Sequence, residues 1–161
     1  KVGIDDSILK KPDKLTDEEY AVMQRHPIHG AALFTNPTSE LDRMSRDISL
    51  YHHERWDGTG YPGRIPHIDL LFKNGGRTDN DLAWTGTPLK GKQIPLAARI
   101  TALADVYDAL SSRRSYKSPW PEKKVFQCIR SDSGRHFDPE VVAAFFEIQD
   151  VIRAIRELYD D

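Results

Sequence analysis

Signals for the start of a helix recur along this chain, whereas the alternating pattern typical of β-strands is nearly absent. Thr16 and Glu19 form a capping-box sequence, and Asp138 is a suitable N-cap. Proline suits the first turn of a helix, and four prolines precede helix-like stretches: Pro27, Pro95, Pro121 and Pro139. The sequence therefore predicts an all-α fold.

These signals and the apolar spacing set approximate helix boundaries. They predict helices over residues 16–25, 27–34, 39–53 and 95–112, one that starts at Pro121, and one from Pro139 through Ile155. The helix over 95–112 carries a predicted core stripe of Leu96, Ile100, Leu103, Tyr107 and Leu110. At 161 residues the chain is predicted to be a single domain.

The stretch from Arg64 to Gln93 has no sustained period and contains the Gly75-Gly76 pair. It is predicted to be a long irregular insertion loop. Loops of this length are uncommon in compact domains, so a lid, a dimer contact and a tolerated surface insertion all stay open.

The charge balance limits the partners. Twenty-three basic and 25 acidic residues give a net charge of −2, which excludes a general positive field for long nucleic acid. No apolar run reaches the roughly eighteen residues of a membrane helix, so no membrane contact is expected from this segment. The single cysteine, Cys128, suits a reducing compartment, and the predicted location is the cytoplasm.

The segment HHERWDGTGYP, from His52 to Pro62, is the most informative for chemistry. Adjacent residues on a helix point about a hundred degrees apart, so His52 and His53 are predicted to reach different metal ions. For two adjacent histidines without the surrounding motif, the more common arrangement is a buried His52 in the core and a solvent-exposed His53, with no metal.

The surrounding residues change that interpretation, because HHERWDGTGYP resembles the signature of the HD-GYP family of HD-domain phosphohydrolases. The resemblance extends upstream over Lys1 to Gly30, and downstream over Ala98 to Lys117 and Phe137 to Phe145. It implies an HD-domain-like helical bundle, with the loop over residues 64–93 outside the match.

The resemblance also implies a set of metal ligands: His26, His52, His53 and Asp105. Imidazole and carboxylate together suit iron or manganese, and two or more divalent transition metals are expected. Asp105 stands mid-helix among alanines, where a buried carboxylate would need a cation or hydrogen-bond donors.

Further site residues follow from motif positions in the same family. Lys1 matches the lysine of the family's HDxGK string and is predicted to be catalytic, and Tyr61, Arg114 and Lys117 are predicted to bind substrate. The histidine and aspartate of that string would precede Lys1. We therefore expect a bundle incomplete at its N-terminal side, and no activity from these 161 residues alone.

The implied activity is metal-dependent opening of cyclic di-GMP to pGpG, continued in some relatives to GMP, within bacterial second-messenger signalling. A hybrid cyclic GMP-AMP is an alternative substrate. A different HD-superfamily nucleotide phosphohydrolase and a non-catalytic binding or interaction module are alternative functions. An upstream regulatory domain is expected, and a homodimer is left open.

Overall fold

The structure is a computed structural model, and it describes residues 3–65, 68, 86–112 and 118–159. Within these ranges the regular elements are helices, with two isolated β-bridges. The α-helices are α1 (Asp6–Leu9), α2 (Asp17–Met23), α3 (His26–Ala31), α4 (Glu40–Tyr51), α5 (Leu96–Ser111), α6 (Glu122–Ser131), α7 (Pro139–Glu147) and α8 (Gln149–Tyr159). Short 3-10 turns lie at Ala32–Phe34 and Gly91–Gln93. The predicted all-α fold class is confirmed.

Side chains at the N-termini explain where several helices begin. The Thr16 hydroxyl accepts from the backbone N–H of Glu19 at 3.2 Å, and the Glu19 carboxylate accepts from the Thr16 N–H at 2.7 Å. Ser39 and Asp42 form the same reciprocal pair at the start of α4. The Asp138 carboxylate caps α7 by accepting from the backbone N–H of Glu140. Each cap satisfies backbone donors that the helix itself leaves unpaired.

The packing places α5 in the middle of the described helices. Helix α3 packs on α4, α4 packs on α5, and α5 also contacts α6 and α7. One buried apolar cluster joins α3 and α4 through Ile28, Ala31, Leu50 and Ile65. A second joins α5, α6 and α7 through Leu103, Val125, Ile129, Phe137, Val142 and Phe145. The two helices joined by the first cluster also carry His26, at the start of α3, and His52, at the end of α4.

A buried ion pair connects α5 to the start of α7. Arg99 on α5 is hydrogen-bonded to the fully buried carboxylate of Asp138, and its Nε donates to the Ile94 carbonyl at 2.9 Å. Because Asp138 also caps α7, one carboxylate fixes both the start of that helix and its position against α5. Removing either partner would leave a buried charge without its counter-ion.

Two predictions about helices are wrong. The helix that begins at Pro139 ends at Glu147, with Ile148 as its C-cap, and a separate helix follows. Leu96 and Ile100, predicted as core, are 55% and 50% exposed. They line an apolar groove of about 480 Å³ between α5 and α7. The period of a helix identifies its apolar face but not what covers that face.

Of the predicted insertion over residues 64–93, residues 64–65, 68 and 86–93 lie within the described ranges. Arg64 forms a β-bridge with Thr87, and Leu89 and Ile94 are buried with Ala98. Residues 66–67 and 69–85 lie outside the described ranges, so the insertion loop stays a prediction. No helix in the described part of the chain has the length and apolar character that crossing a bilayer requires.

Candidate metal centre

Three imidazole rings from two neighbouring helices converge on one point. His26 is the first residue of α3, His52 is the C-cap of α4, and His53 follows it. The Nε2 atom of His26 lies 3.3 Å from that of His52 and 3.1 Å from that of His53. One possible ligand atom from each ring falls within 4.8 Å of the others. Among the described residues, this is the group of side chains suited to hold a metal ion.

Backbone carbonyls determine how two of these rings present their nitrogens. His26 Nδ1 lies 2.8 Å from the Met23 carbonyl, and His52 Nδ1 lies 3.0 Å from the carbonyls of Ile48 and Ser49. A carbonyl oxygen only accepts, so each Nδ1 carries the hydrogen. In the neutral rings the lone pairs are therefore on Nε2, where the rings meet.

This arrangement fits a cation. Two Nε2 lone pairs 3.3 Å apart repel each other unless a positive charge lies between or beside them. A ligating histidine usually donates its Nδ1–H to an acceptor such as a backbone carbonyl, which leaves Nε2 for the metal. The donor set present here therefore fits a divalent transition metal.

The sequence-based prediction that His52 and His53 face different directions is wrong. That prediction assumed a continuous helix, whereas α4 ends at Tyr51 and the chain turns at both histidines. Their ring centroids lie 4.2 Å apart, and both rings contact His26. The end of α4 thus directs adjacent side chains to one point.

Asp105 lies on α5, on the wall of the same cavity as the three histidines. That cavity has a volume of about 480 Å³ and is lined by His26, Gly30, Leu33, Phe34, Ser49, His52, His53 and Asp105. Asp105 is outside the three-imidazole group and is exposed. The prediction that the Asp105 carboxylate is buried among alanines is therefore wrong, because the cavity leaves this carboxylate accessible to solvent.

Tyr61 lies directly beside this centre. Its ring stacks on His53, with centroids 4.9 Å apart and planes 21° apart, and its N–H donates to the His53 carbonyl at 3.2 Å. Burial raises the pKa of the Tyr61 hydroxyl well above its usual range, and negative charge at Tyr20 and Asp105 raises it further. Tyr61 therefore keeps its proton, and its hydroxyl remains a hydrogen-bond donor.

Sequence reasoning missed Glu54, which immediately follows the histidine pair. Its side chain is buried, and Oε1 accepts from the Gly63 N–H at 2.5 Å. Burial raises the pKa of this carboxyl. The sequence contains a signal for this role of Glu54. A carboxylate just before a glycine-rich turn can accept hydrogen bonds from backbone N–H groups that have no partner within the turn.

Three other predicted site residues cannot be placed by the structure. Lys1, Arg114 and Lys117 lie outside the described residues. Their roles stay predictions.

Comparison with known proteins shows the family. The family model described as HD domain matches residues 2–72 and 84–141, which is more than half of the chain. The chain therefore belongs to the HD domain family, and the family resemblance predicted from the sequence is confirmed.

Curated bacterial relatives align along most or all of the chain. A cyclic di-GMP phosphodiesterase of Vibrio cholerae serotype O1 is 42% identical over the whole chain and 29% of its own length. A 3'3'-cGAMP-specific phosphodiesterase 2 of the same organism is 38% identical over the whole chain and 26% of its own length. The cyclic di-GMP phosphodiesterase response regulator RpfG of Xanthomonas campestris pv. campestris is 39% identical, over 89% of the chain and 32% of its own length. The chain thus spans about a quarter to a third of these relatives.

Proposed function

We propose that this chain forms part of a metal-dependent phosphodiesterase domain that hydrolyses a cyclic dinucleotide. The observation that carries the proposal is the convergence of three imidazole nitrogens, two of them with their lone pairs directed at one point by backbone carbonyls. His26, His52 and His53 are the proposed ligands. Asp105, on the wall of the same cavity, is proposed as a further ligand that approaches from α5.

Two or more divalent ions are proposed, as the family resemblance implies, with iron or manganese favoured by the mixture of imidazole and carboxylate. When bound, such ions polarise a phosphodiester and make water a stronger nucleophile near neutral pH. Tyr61 is proposed to contact substrate, since its ring stacks on His53, which lines the cavity. Lys1, Arg114 and Lys117 are proposed to neutralise or bind phosphate through their positive charge.

Cyclic di-GMP is the proposed substrate, opened to pGpG and then cleaved to GMP. The names of the relatives support the cyclic-dinucleotide class, since they specify both cyclic di-GMP and 3'3'-cGAMP. One relative is named a response regulator, which supports an upstream regulatory domain in the complete protein. A cytoplasmic location is proposed with this signalling role.

Product analysis tests the proposed activity. The complete protein, loaded with Mn²⁺ or Fe²⁺, is incubated separately with cyclic di-GMP, 3'3'-cGAMP, pGpG and a nucleoside triphosphate, and products are separated by chromatography. We expect linear products from one or both cyclic dinucleotides. Turnover of the triphosphate alone would instead identify a different nucleotide phosphohydrolase.

A non-catalytic binding module is the second candidate, and metal content distinguishes it from the enzyme. Two or more transition-metal ions per complete protein support the enzyme, whereas tight dinucleotide binding without metal supports the module. The 161-residue chain alone is expected to be inactive, because the family's His-Asp dyad is not among its residues. Comparing the chain with the complete protein in the same assay tests that expectation.

A further inference from the structure

We propose that Glu54 is a positioning residue of the histidine centre, one that holds Tyr61 against His53 and so orients the His53 imidazole. The inference rests on the proposed function, because it assigns Glu54 a role at the same metal site. Glu54 itself is not a member of the imidazole group. Its influence would pass through the turn that begins at Gly60.

The turn that begins at Gly60 is attached to the Glu54 side chain. Glu54 is only 2% exposed, and its Oε1 accepts from the Gly63 N–H at 2.5 Å. Within the described part of the chain its Oε2 has no hydrogen-bond partner. Burying a carboxylate is costly, and among the described residues this one makes a single hydrogen bond, to the turn. That bond is therefore the contact to test.

The turn also fits closely around Glu54. Any side chain at Gly60 would collide with the backbone of Glu54 and Arg55. Gly63 adopts φ +75°, and a Cβ there would lie 2.6 Å from the Thr87 carbonyl oxygen. The turn is thus closely packed against backbone at Gly60 and at Gly63. The Glu54 side chain adds the hydrogen bond to Gly63, and we propose that without it the turn loses its fixed position.

Tyr61 connects the turn to the histidine centre. Tyr61 lies between Gly60 and Gly63, stacks on the His53 ring, and donates its N–H to the His53 carbonyl. His53 Nε2 in turn lies 3.1 Å from His26 Nε2. A displaced turn would therefore remove the ring that supports one face of His53. Freedom of that ring would weaken any metal bound at Nε2.

The first experiment uses the 161-residue chain without metal, so that it is independent of the proposed activity. NMR cross-relaxation between the Tyr61 and His53 ring protons is measured in the parent, in Glu54→Ala and in Glu54→Gln. We expect the contact in the parent and in Glu54→Gln, which keeps an acceptor for Gly63, and its loss in Glu54→Ala. A folded Glu54→Ala chain that retains the contact overturns the proposal.

Asp138→Ala is the matched control, because Asp138 is also a buried carboxylate but supports α7 instead. It should lower stability and leave the Tyr61–His53 contact intact. Loss of the contact in this control as well would indicate general loosening and contradict the proposal. If Glu54→Ala does not fold, Glu54→Asp is measured in its place. Its shorter side chain should lose the Tyr61–His53 contact, and a folded Glu54→Asp chain that retains the contact overturns the proposal.

The second experiment measures Co²⁺ affinity by visible absorption in the same variants. Glu54→Ala should bind Co²⁺ about ten- to a hundredfold more weakly than the parent, whereas Glu54→Gln and Asp138→Ala should stay close to the parent. Equal affinity in Glu54→Ala and the parent would overturn the role in orienting His53. A parent chain that binds no Co²⁺ counts against the metal site itself, while the NMR contact still decides whether Glu54 positions Tyr61.

Discussion

At the scale of single residues, the ends of helices account for the orientation of the candidate ligands. The last carbonyls of a helix have no partner within it. Met23 ends α2, and its carbonyl accepts from His26 Nδ1. Ile48 and Ser49 lie in the last turn of α4, and their carbonyls accept from His52 Nδ1. The Ile48 carbonyl also accepts from the His52 backbone N–H at 3.1 Å. Hydrogen bonds from Nδ1 to carbonyls at two helix ends therefore orient the two imidazole rings.

Replacing His53 by alanine in the complete protein should abolish phosphodiester hydrolysis, because it removes one of three converging nitrogens. The fold should survive, since His53 is half-buried and lies beyond the end of α4. The measurement is turnover of cyclic di-GMP together with circular dichroism. His29→Ala is the control: His29 is on α3 but outside the imidazole group, and its loss should leave most activity. Parent-like turnover by His53→Ala would refute its role as a ligand.

The sequence predicted the residue types of the site better than their geometry. The motif from His52 to Pro62 identified the histidines, but their convergence depends on where α4 ends, which the apolar spacing does not resolve to a single residue. The exposure of Asp105 depends on the cavity beside α5. Glu54 was missed because a charged residue in a loop motif is usually solvated, and its burial requires the folded turn.

At the scale of the helix, caps predicted the beginnings of α2 and α7, and the structure adds a capping box at Ser39, where α4 begins. We expect Ser39→Ala, which breaks the capping box of α4, to lower the free energy of unfolding by about 1 kcal/mol. Ser45→Ala is the matched control within the same helix: alanine favours helix there, and the change should stay within about 0.5 kcal/mol. Denaturant unfolding followed by circular dichroism measures both. Equal losses in the two variants would contradict the capping argument.

The turn before α7 should make stability depend on pH. Burial lowers the pKa of His136 below its ordinary value near 6.5, and the charge of Arg55 lowers it further. As pH falls through about 6.5, the unfolded chain takes up this proton before the folded one does. The contribution of His136 is thus complete above that pH and is lost on acidification, by at most about 1.4 kcal/mol per pH unit.

His136→Gln should therefore show a shallower fall in unfolding free energy between pH 7 and pH 5 than the parent. The dependence should not vanish, because burial also lowers the pKa of His29. Chemical unfolding at several pH values supplies the comparison. The same slope in the parent and in His136→Gln would exclude this histidine as a source of the pH dependence.

Helix existence was predicted well for long, capped segments and poorly for short or interrupted ones. Helix α1 has only four residues, too few to display a period. The break at Ile148 has no proline or glycine to signal it, since apolar residues continue on both sides. Local sequence therefore fixed where most helices begin, while tertiary packing decided where one of them is interrupted.

At the scale of the whole molecule, the two larger of the three apolar clusters in the described residues both involve helices that pack on α5. The cluster of α3 and α4 supports the histidines, and the larger cluster of α5, α6 and α7 contains most of the buried aromatic residues. Arg99 and Asp138 connect α5 to α7 on the side of the larger cluster. Because the imidazoles come from both α3 and the end of α4, a metal ion bound there would join two helices.

Metal binding should therefore stabilise the chain as a whole. At a free Mn²⁺ concentration about a hundred times the dissociation constant, binding to the folded state alone adds about 2.7 kcal/mol. Each kcal/mol raises Tm by about 2–4 °C in a chain of this size. Thermal unfolding with and without Mn²⁺ measures the shift, and His29→Ala should retain it. His26→Ala should lose it, because His26 Nε2 lies within 3.3 Å of the Nε2 atoms of both His52 and His53. An equal shift in His26→Ala would place the stabilising ion elsewhere.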